Sequence, residues 1–380
     1  MSIFWNKRTA ALSPYVPGEQ PGSRKFIKLN TNENPYPPSP RAAAAIEQIL
    51  AEQKPGESRG GVLRLYPDPL CGEFRTAAAA AHGVKPEQVF PGNGSDEVLA
   101  FAFGAFFESG EKAGGPLLFP DITYSFYPVY AGLWDIPYKT PPLRDDFSIA
   151  LEDYTGPSRG VIIANPNAPT GRVLPPESLR RLAETLEERR QVLILDEAYV
   201  SFGAESLDLR IKDHPNLLVV HTLSKSAALA GLRIGYAIGN EALIEGLFRV
   251  RDSFNSYTMD RLALAGGTAA ISDGAYYRDI NKKVIATRER TAAALKDLGF
   301  TVIPSAANFL FTRPPEGTGG AGFFQALRNR GILVRRFATP RIADYLRVSI
   351  GTDEDMDAFL EACRSLIVHS LHEDHRRRGF

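Results

Sequence analysis

The fold is set by residues 160–196, whose sequence is GVIIANPNAPTGRVLPPESLRRLAETLEERRQVLILD. This segment begins with a short apolar run, residues 160–164, and ends with another, residues 192–195. Between them a Pro-Pro pair suits a helix start, and leucine and alanine then recur at helical spacing from residue 179 to residue 186. Strand, helix and strand in this order predict an α/β fold, with a mainly parallel sheet covered by helices on both faces.

The same alternation extends on both sides of this segment. Further short apolar runs predict strands of the same sheet over residues 117–119, 216–221 and 233–238. After Gly239 the pattern changes to long helical periodicity, over residues 241–270 and 276–298. Four later runs predict the strands of a smaller α+β lobe, over residues 301–304, 309–313, 333–336 and 346–350.

These patterns divide the 380 residues into three parts. Residues 1–41, rich in proline, glycine and asparagine, form an N-terminal arm that is expected to pack against the small domain. Residues 42–260 form a large ligand-binding domain, and residues 261–380 a small C-terminal domain. The length agrees with this division, because single domains usually contain about 100–200 residues.

Composition and charge exclude several classes of protein. The chain is 44% apolar and 23% charged, as globular proteins are, and its 44 basic residues balance its 44 acidic ones. A chain without excess charge lacks the electrostatic signature of a nucleic-acid or membrane-surface binder. The longest apolar run, residues 98–107, is about half the length of a membrane span. We therefore expect a cytoplasmic protein that binds neither nucleic acid nor membrane.

Cysteine and histidine spacing predicts no metal site. Cys71 and Cys363 lie almost the whole chain apart, no CxxC pair occurs, and two inert thiols are expected. His369, His372 and His375 recur every three residues, but they precede a run of arginines in a C-terminal tail. A solvated, frayed helix is the expected structure there.

Polar residues follow the predicted strands at four places in the larger lobe. Residues 91–97, PGNGSDE, combine a glycine turn with a hydroxyl at a helix start, which makes a phosphate cradle or simply a capped turn. Residues 165–171, NPNAPTG, form a rigid turn that can hold an asparagine toward a ligand.

The other two places carry ionisable groups. Residues 196–199, DEAY, place a carboxylate directly after a buried strand, where it must be paired, metal-bound, ligand-bound or a helix cap. Residues 222–225, TLSK, place a lysine beside two hydroxyls, with Arg233 farther along. That lysine suits Schiff-base chemistry near a phosphate, although an isolated lysine is more often a surface charge. One ligand that uses all four places is pyridoxal phosphate, which needs a lysine, a carboxylate at its ring nitrogen and phosphate donors.

The order of these motifs resembles that of the class I and II aminotransferases. The matching segments run from about residue 29 to residue 351 and include NENP at 32–35, YPD at 66–68, GNGSDE at 92–97, NPNAPTG, DEAY, TLSK and GLRIGY at 231–236. Within the family, the chain is most similar to the histidinol-phosphate aminotransferases. The resemblance implies the fold-type-I pyridoxal-phosphate-dependent transferase fold, pyridoxal 5'-phosphate as the cofactor and transamination as the reaction.

The resemblance also implies roles for the large-domain residues. Lys225 would form the Schiff base and move the proton, Asp196 would pair with the ring nitrogen, and Tyr199 would donate to the phenolic oxygen. Tyr124 would stack on the ring. The phosphate would be held by Gly94, Ser95, Asp96, Thr222, Ser224 and Arg233.

Substrate and subunit contacts are implied in the same way. Arg347 would hold the substrate α-carboxylate and Arg335 its distal phosphate, with Asn34 as a further substrate-binding residue. Tyr66 would reach the phosphate of the other subunit, which implies a homodimer whose N-terminal arm also contacts the partner. The substrates would be an anionic amino donor and a 2-oxo acid.

One position departs from the family pattern. Many members have asparagine immediately before Pro-Thr-Gly, where it bonds the cofactor's phenolic oxygen, and here that position is Ala168. Either Asn167 takes the role or Tyr199 carries it alone, and we expect Asn167.

The motifs leave more than one activity open. The main expectation is transamination of histidinol phosphate and 2-oxoglutarate to imidazole-acetol phosphate and glutamate, in histidine biosynthesis. An aromatic-amino-acid aminotransferase and a threonine-phosphate decarboxylase share the same cofactor residues. A non-catalytic pyridoxal-phosphate-binding regulator would need an added DNA-binding domain, for which the chain shows no sequence.

Overall fold

The elements follow one another in three groups. The computed structural model describes residues 3–22, 25–52, 58–110 and 114–378, with side chains described as far as residue 368. The first group is α1 (Lys7–Ala11), β1 (Ile27–Lys28), α2 (Pro40–Ala51) and α3 (Gly72–His82). The second is β2 (Val89–Gly92), α4 (Ser95–Phe106), β3 (Leu117–Leu118), α5 (Tyr127–Trp134), β4 (Tyr138–Lys139), β5 (Gly160–Ala164), α6 (Pro176–Glu187), β6 (Val192–Asp196), β7 (Leu217–Thr222) and β8 (Gly235–Gly239). The third is α7 (Glu241–Phe254), α8 (Arg261–Ile271), α9 (Gly274–Asp297), β9 (Thr301–Ile303), β10 (Phe309–Arg313), α10 (Gly320–Asn329), β11 (Ile332–Leu333), β12 (Arg335–Arg336), β13 (Leu346–Ser349) and α11 (Asp353–Arg378). The tail histidines of the sequence prediction lie outside the described side chains.

A seven-stranded sheet forms the centre of the larger lobe, in the order β2-β8-β7-β6-β5-β3-β4. The strands from β4 to β7 are parallel, and β8 and β2 run antiparallel at one side. Every residue of β5 and β7 is buried, as the apolar runs predict. The predicted α/β class with a mainly parallel sheet is therefore confirmed.

The two faces of this sheet pack into different cores. Leu193, Leu195 and Val219 belong to one buried cluster, and Ile194 and Leu218 belong to another. This division follows from the alternation of side chains along a strand. The helix α6 covers one face, because its buried residues recur at helical spacing and belong to the cluster that contains Leu195.

The smaller lobe is built on a four-stranded antiparallel sheet, in the order β12-β13-β10-β9. The N-terminal arm joins this lobe, because β1 pairs in parallel with β11 and Leu29 is buried in the same core as Phe309. The predicted single strand over residues 333–336 is wrong. Val334 separates two short strands, of which β11 pairs with the arm and β12 pairs with β13.

The predicted helix over residues 241–270 is also wrong, because the chain leaves the helix at Asn255. The backbone of Asn255 is extended, and a new helix starts where the Asp260 side chain accepts a hydrogen bond from the Ala263 amide at 2.8 Å. An aspartate at this position caps the free amides of a first turn.

The packing does not change at the predicted domain boundary of residue 260. Ala263 in α8 shares the core of the larger lobe with Phe74. The change occurs within α9, where Tyr277 packs in that core and Val284 packs in the core of the smaller lobe. Among the described residues, no helix is both long and apolar enough to cross a membrane.

Candidate active site

A cavity of about 340 Å³ opens where three neighbouring parallel strands end. Ala164, Asp196 and Thr222 are the last residues of β5, β6 and β7, and all three line it. Ligands of open α/β sheets bind at this edge. The smaller lobe and the arm close the cavity from the other side. The residues that they contribute are Tyr15, Pro17, Gly18, Gln20, Asn30, Thr31, Asn32, Arg335 and Arg347.

The N-terminus of α4 forms an anion cradle at one end of the cavity. Ser95 and Asp96 line the cavity from the first turn, where backbone amides have no acceptor within the helix. Gly94 has a φ of +85°, and a Cβ there would lie 2.5 Å from the Arg233 guanidinium. At Gly235, a Cβ would lie 2.1 Å from the Ser95 amide nitrogen. Two glycines therefore allow the strand β8 and Arg233 to come close to this helix end.

Hydroxyl and charged groups surround the cradle. Arg233 donates to the Asp96 carboxylate at 2.9 Å and to the Ser224 hydroxyl at 3.5 Å. The Tyr124 hydroxyl donates to the other oxygen of Asp96 at 2.7 Å, and Thr222 lines the cavity beside Ser224. The structure thus brings together the phosphate-site residues predicted from within one chain, and Tyr124 lines the same cavity.

Asp196 is a buried carboxylate held by two donors. The Tyr127 hydroxyl donates to its Oδ2 at 2.9 Å, and the Ala198 amide donates to its Oδ1 at 3.2 Å. Burial raises the pKa of Asp196 to about 6, and both hydrogen bonds act in the opposite direction. A cationic ring nitrogen at this oxygen pair would offset the cost of burying the charge.

Lys225 lies half-buried in the same cavity, after the end of β7. Its Nζ donates to the Thr31 carbonyl at 3.1 Å. Burial lowers the pKa of Lys225 to about 8, and the charge of Arg347 acts in the same direction. A larger share of neutral amine at neutral pH makes this lysine a better nucleophile and base.

Tyr199 faces the cavity with its hydroxyl oriented by the arm. The Asn32 side-chain amide donates to the Tyr199 oxygen at 2.9 Å, which leaves the phenolic proton free to donate to a ligand. Asn32 is itself fixed by Ser349, whose hydroxyl donates to the Asn32 Oδ1 at 2.9 Å.

Arg335 and Arg347 are directly opposite each other on β12 and β13. Like charges in such a cross-strand pair repel, so an anion between them is favoured. Arg347 donates to the Asn30 carbonyl at 2.9 Å, while its buried Nε finds no hydrogen-bond partner among the described residues. The pair therefore gives this end of the cavity a positive charge that suits an anion.

Three predicted site residues lie elsewhere. The amide of Asn167 is occupied by Thr123, Thr170 and the Ile122 carbonyl, so the structure does not place it in the expected cofactor contact. Asn34 donates to the backbone carbonyl of Lys225 at 3.1 Å, behind the cavity, and does not line it. Tyr66 is 77% exposed and stacks on Tyr257, outside the cavity of its own chain.

Sequence reasoning missed the partners that orient the predicted residues. Tyr127 and Asn30 lie outside the motifs, and Asn32 lies within NENP without an assigned role. The signal available for Asn32 was its place in that motif, whereas Tyr127 looks like any other aromatic residue of an apolar helix.

The residues present fit pyridoxal phosphate. The glycine-lined cradle accepts a phosphate, the carboxylate of Asp196 accepts a protonated ring nitrogen, and Tyr199 can donate to a phenolic oxygen. Lys225 projects into the same cavity with a lowered pKa. Fold and site together define a pyridoxal-phosphate-dependent enzyme.

Comparison with known proteins gives the family. The model of "Aminotransferase class I and II" matches residues 24–363. A histidinol-phosphate aminotransferase of Aromatoleum aromaticum is 52% identical over 371 residues, which are 97% of this chain and 100% of that protein. Histidinol-phosphate aminotransferase 2 of Thiobacillus denitrificans is 52% identical over 366 residues, covering 96% and 98% of the two chains. The chain belongs to the class I and II aminotransferases, which exchange an amino group between an amino donor and a 2-oxo acid.

A crystal structure supports the same assignment of fold. The histidinol-phosphate aminotransferase of Sinorhizobium meliloti, in complex with pyridoxal 5'-phosphate, superposes with a TM-score of 0.83 at 25% sequence identity. The match covers 97% of this chain and 99% of that one. The predicted family, fold and cofactor are confirmed.

Proposed function

We propose that this enzyme transfers the amino group of histidinol phosphate to 2-oxoglutarate, giving imidazole-acetol phosphate and glutamate. The observation that carries the proposal is the cross-strand pair of Arg335 and Arg347. Relatives about half identical over nearly the full length carry the name of this activity, which supports the same choice.

The arginine pair matches both substrates of the exchange. Histidinol phosphate has a phosphate and no carboxylate, whereas glutamate has two carboxylates. Two adjacent guanidinium groups can hold either the phosphate or the carboxylates, because arginine binds both kinds of anion in a bidentate manner. A single arginine would neutralise only part of the negative charge of either substrate.

A second residue offers a means to distinguish an imidazole from a benzene ring. Asn30 is 2% exposed and lines the cavity, and its side-chain oxygen finds no hydrogen-bond partner among the described residues. Its amide nitrogen is occupied by the Glu19 carbonyl at 2.7 Å. A buried acceptor without a partner costs about 1–3 kcal/mol, so a substrate N–H that satisfies it is favoured. Imidazole offers that donor and phenylalanine does not.

Lys225 moves the proton of the reaction. When bound, pyridoxal phosphate supplies an aldehyde that accepts an amino group and a ring that withdraws electrons from the substrate Cα. The Lys225 amine, with its lowered pKa of about 8, takes the proton from the substrate Cα and delivers it to the cofactor. The arginine pair keeps the Cα–H bond pointed at Nζ, since fixing a remote anion orients the reacting bond.

Other side chains hold the cofactor in register. Asp196 keeps the ring nitrogen protonated, with Tyr127 fixing the carboxylate. Tyr199 donates to the phenolic oxygen without help from Asn167, and Tyr124 covers the ring. The cradle of α4, Ser224 and Arg233 holds the phosphate.

The active unit is proposed to be a homodimer. The support is an exposed apolar patch around Tyr66, far from the cavity of its own chain. The patch consists of Leu63, Leu65, Tyr66, Leu70, Phe254 and Tyr257, each more than 40% exposed. Apolar patches of this kind mark surfaces that a partner covers. Tyr66 on one subunit would then complete the phosphate site of the other.

A panel of half-reactions tests the substrate. The holoenzyme is mixed separately with histidinol phosphate, phenylalanine and phosphothreonine, and the absorbance of the bound cofactor is followed while products are identified by mass spectrometry. Histidinol phosphate is expected to react with a kcat/KM at least about tenfold above phenylalanine, since a charge-assisted contact contributes about 1.5–3 kcal/mol. A faster reaction of phenylalanine, or loss of carbon dioxide from phosphothreonine, would reject the proposal. An Arg335→Gln variant should lose most of the preference.

A further inference from the structure

A second cluster of ionisable side chains lies outside the cavity described above. His82 at the end of α3, His221 in β7 and Asp208 of the 3-10 helix Asp208–Lys212 meet in a separate cleft of about 270 Å³. One ligand atom from each residue lies within 4.8 Å of the others. His221 precedes Thr222 in β7, so its side chain lies on the opposite face of the sheet from the phosphate site.

One nitrogen atom of this cluster, of a kind that binds metals, has no hydrogen-bond partner among the described residues. The His82 Nδ1 contacts the Asp208 carboxylate, and the His82 Nε2 lies 2.8 Å from the Tyr236 hydroxyl. The His221 side chain is 7% exposed, and its Nε2 finds no hydrogen-bond partner among the described residues. The closest acidic group, Glu197, is 3.9 Å away and is already bonded by Ser206. A buried imidazole nitrogen without a partner is costly unless it binds something.

We propose that His82, Asp208 and His221 bind a divalent transition-metal cation of the zinc type. Two imidazoles and a carboxylate are ligands that Zn²⁺ prefers, and three protein ligands leave a fourth position for water from the cleft. Zinc bonds of about 2.0–2.2 Å require ligand atoms roughly 3.3 Å apart, so side-chain shifts of about 1 Å or less bring the three atoms into place.

Surrounding groups suit a bound metal. A cation that displaces the proton between the His82 Nδ1 and the Asp208 carboxylate leaves the His82 Nε2 to donate to the Tyr236 hydroxyl, 2.8 Å away. Such an outer partner fixes the tautomer of a metal-binding histidine. The rings of His221 and Tyr236 stack with centroids 5.2 Å apart, which restrains the second histidine.

A bound cation would link three elements that are distant in sequence. These are the end of α3, the 3-10 helix Asp208–Lys212 and the end of the strand β7. Because the ion binds only the folded arrangement, it would raise stability by mass action. The site is structural in this proposal and takes no part in transamination.

Zinc titration of the untagged holoenzyme, first treated with a chelator, tests the site. The background variant carries His369→Asn, His372→Asn and His375→Asn, which removes the tail histidines as competing ligands. Isothermal titration calorimetry should give one Zn²⁺ per chain, and the melting temperature should rise with added Zn²⁺. Asp208→Asn, which is nearly isosteric, and His221→Asn, which removes the imidazole, should each abolish both effects.

Two further variants separate a metal site from a folding effect. Tyr236→Phe removes only the outer hydrogen bond and should weaken Zn²⁺ about 10–100-fold while leaving the metal-free melting temperature close to that of the parent. His214→Asn, just before the start of β7, should bind Zn²⁺ like the parent. The proposal is overturned if the tail-free protein binds no Zn²⁺, or if Asp208→Asn and His221→Asn bind it with parental affinity.

Discussion

One of the two donors that hold the buried carboxylate of Asp196 is a tyrosine outside every recognised motif. Tyr127 donates to its Oδ2 from the first turn of α5, and the pKa of about 6 is the balance between burial, which raises it, and the bonds from Tyr127 and the Ala198 amide, which lower it. An aspartate side chain in water has a pKa of about 3.9, so it is already ionised well below pH 6. The protonation of Asp196 is therefore set by α5 as well as by β6.

Replacing Tyr127 by phenylalanine should expose this dependence. The bond from Tyr127 lowers the pKa of Asp196, so its loss raises that pKa further and protonates the carboxylate at a higher pH. The acid limb of the kcat/KM profile should move to higher pH, and kcat/KM at neutral pH should fall roughly tenfold or more. Tyr154→Phe, a buried tyrosine in the other core, is the matched control and should leave the limb in place. An unshifted limb in Tyr127→Phe would refute the role.

The fate of Asn167 shows what a motif does and does not specify. The sequence indicated an asparagine near the end of β5, and the structure has one there. Its direction depends on Thr123 and Ile122, residues from a different turn, which no local pattern reveals. Residue type was predictable, whereas the partners that turn the amide away from the cavity were not.

The strand β8 passes very close to the start of α4. Gly235 lets the strand pass so close to the helix that a Cβ would lie 2.1 Å from the Ser95 nitrogen. Backbone cannot move aside as a flexible side chain can. The cradle therefore requires glycine at this position.

Gly235→Ala should separate the strand from the helix end and weaken pyridoxal phosphate. We expect the dissociation constant, measured by cofactor absorbance at equilibrium, to rise at least about tenfold, because loss of one charge-assisted contact already costs about 1.5–3 kcal/mol. Gly231→Ala is the control, since nothing lies within 4 Å of its added Cβ. Equal affinities of the two variants would show that the close approach is unimportant.

Element prediction succeeded where apolar runs are long and buried, and it failed at breaks. Residues 160–164 and 309–313 are strands with the expected bounds. Periodicity continued through residues 241–270, however, because the amphipathic pattern resumes after the interruption at Asn255. The strand over 333–336 failed for a different reason, since its two halves pair with different neighbours and pairing is a long-range property.

The molecule as a whole is proposed to need a second copy to complete each phosphate site. Tyr66 is held outward by stacking on Tyr257 at 4.5 Å and by a hydrogen bond from Arg261 to its carbonyl. Each subunit would supply Tyr66 to its partner and Lys225 to itself.

Mixed dimers test this exchange. Lys225→Ala and Tyr66→Ala subunits, each strongly impaired alone, should regain activity when mixed, because one site of the hybrid then has both side chains. In a two-fold symmetric dimer with random pairing, about a quarter of all sites are restored. A mixture of Lys225→Ala with Asp196→Asn should stay inactive. Lys225 and Asp196 both act in the site of their own chain, so each site of the hybrid lacks one of them. No gain in the first mixture, with hybrids confirmed by native mass spectrometry, would contradict the shared site.

The hydrogen bond from the backbone amide of Asn32 to the Ser349 hydroxyl joins positions 317 residues apart. This separation has a consequence for the order in which the chain folds during synthesis. The larger lobe can begin to fold on the ribosome, since most of its strands are close in sequence. Asn32, which orients Tyr199, must wait for Ser349 in β13, which is made 317 residues later. The lysine, the carboxylate and the phosphate cradle can therefore form first. Tyr199 is held in place only when the smaller lobe has emerged and the arm has joined it.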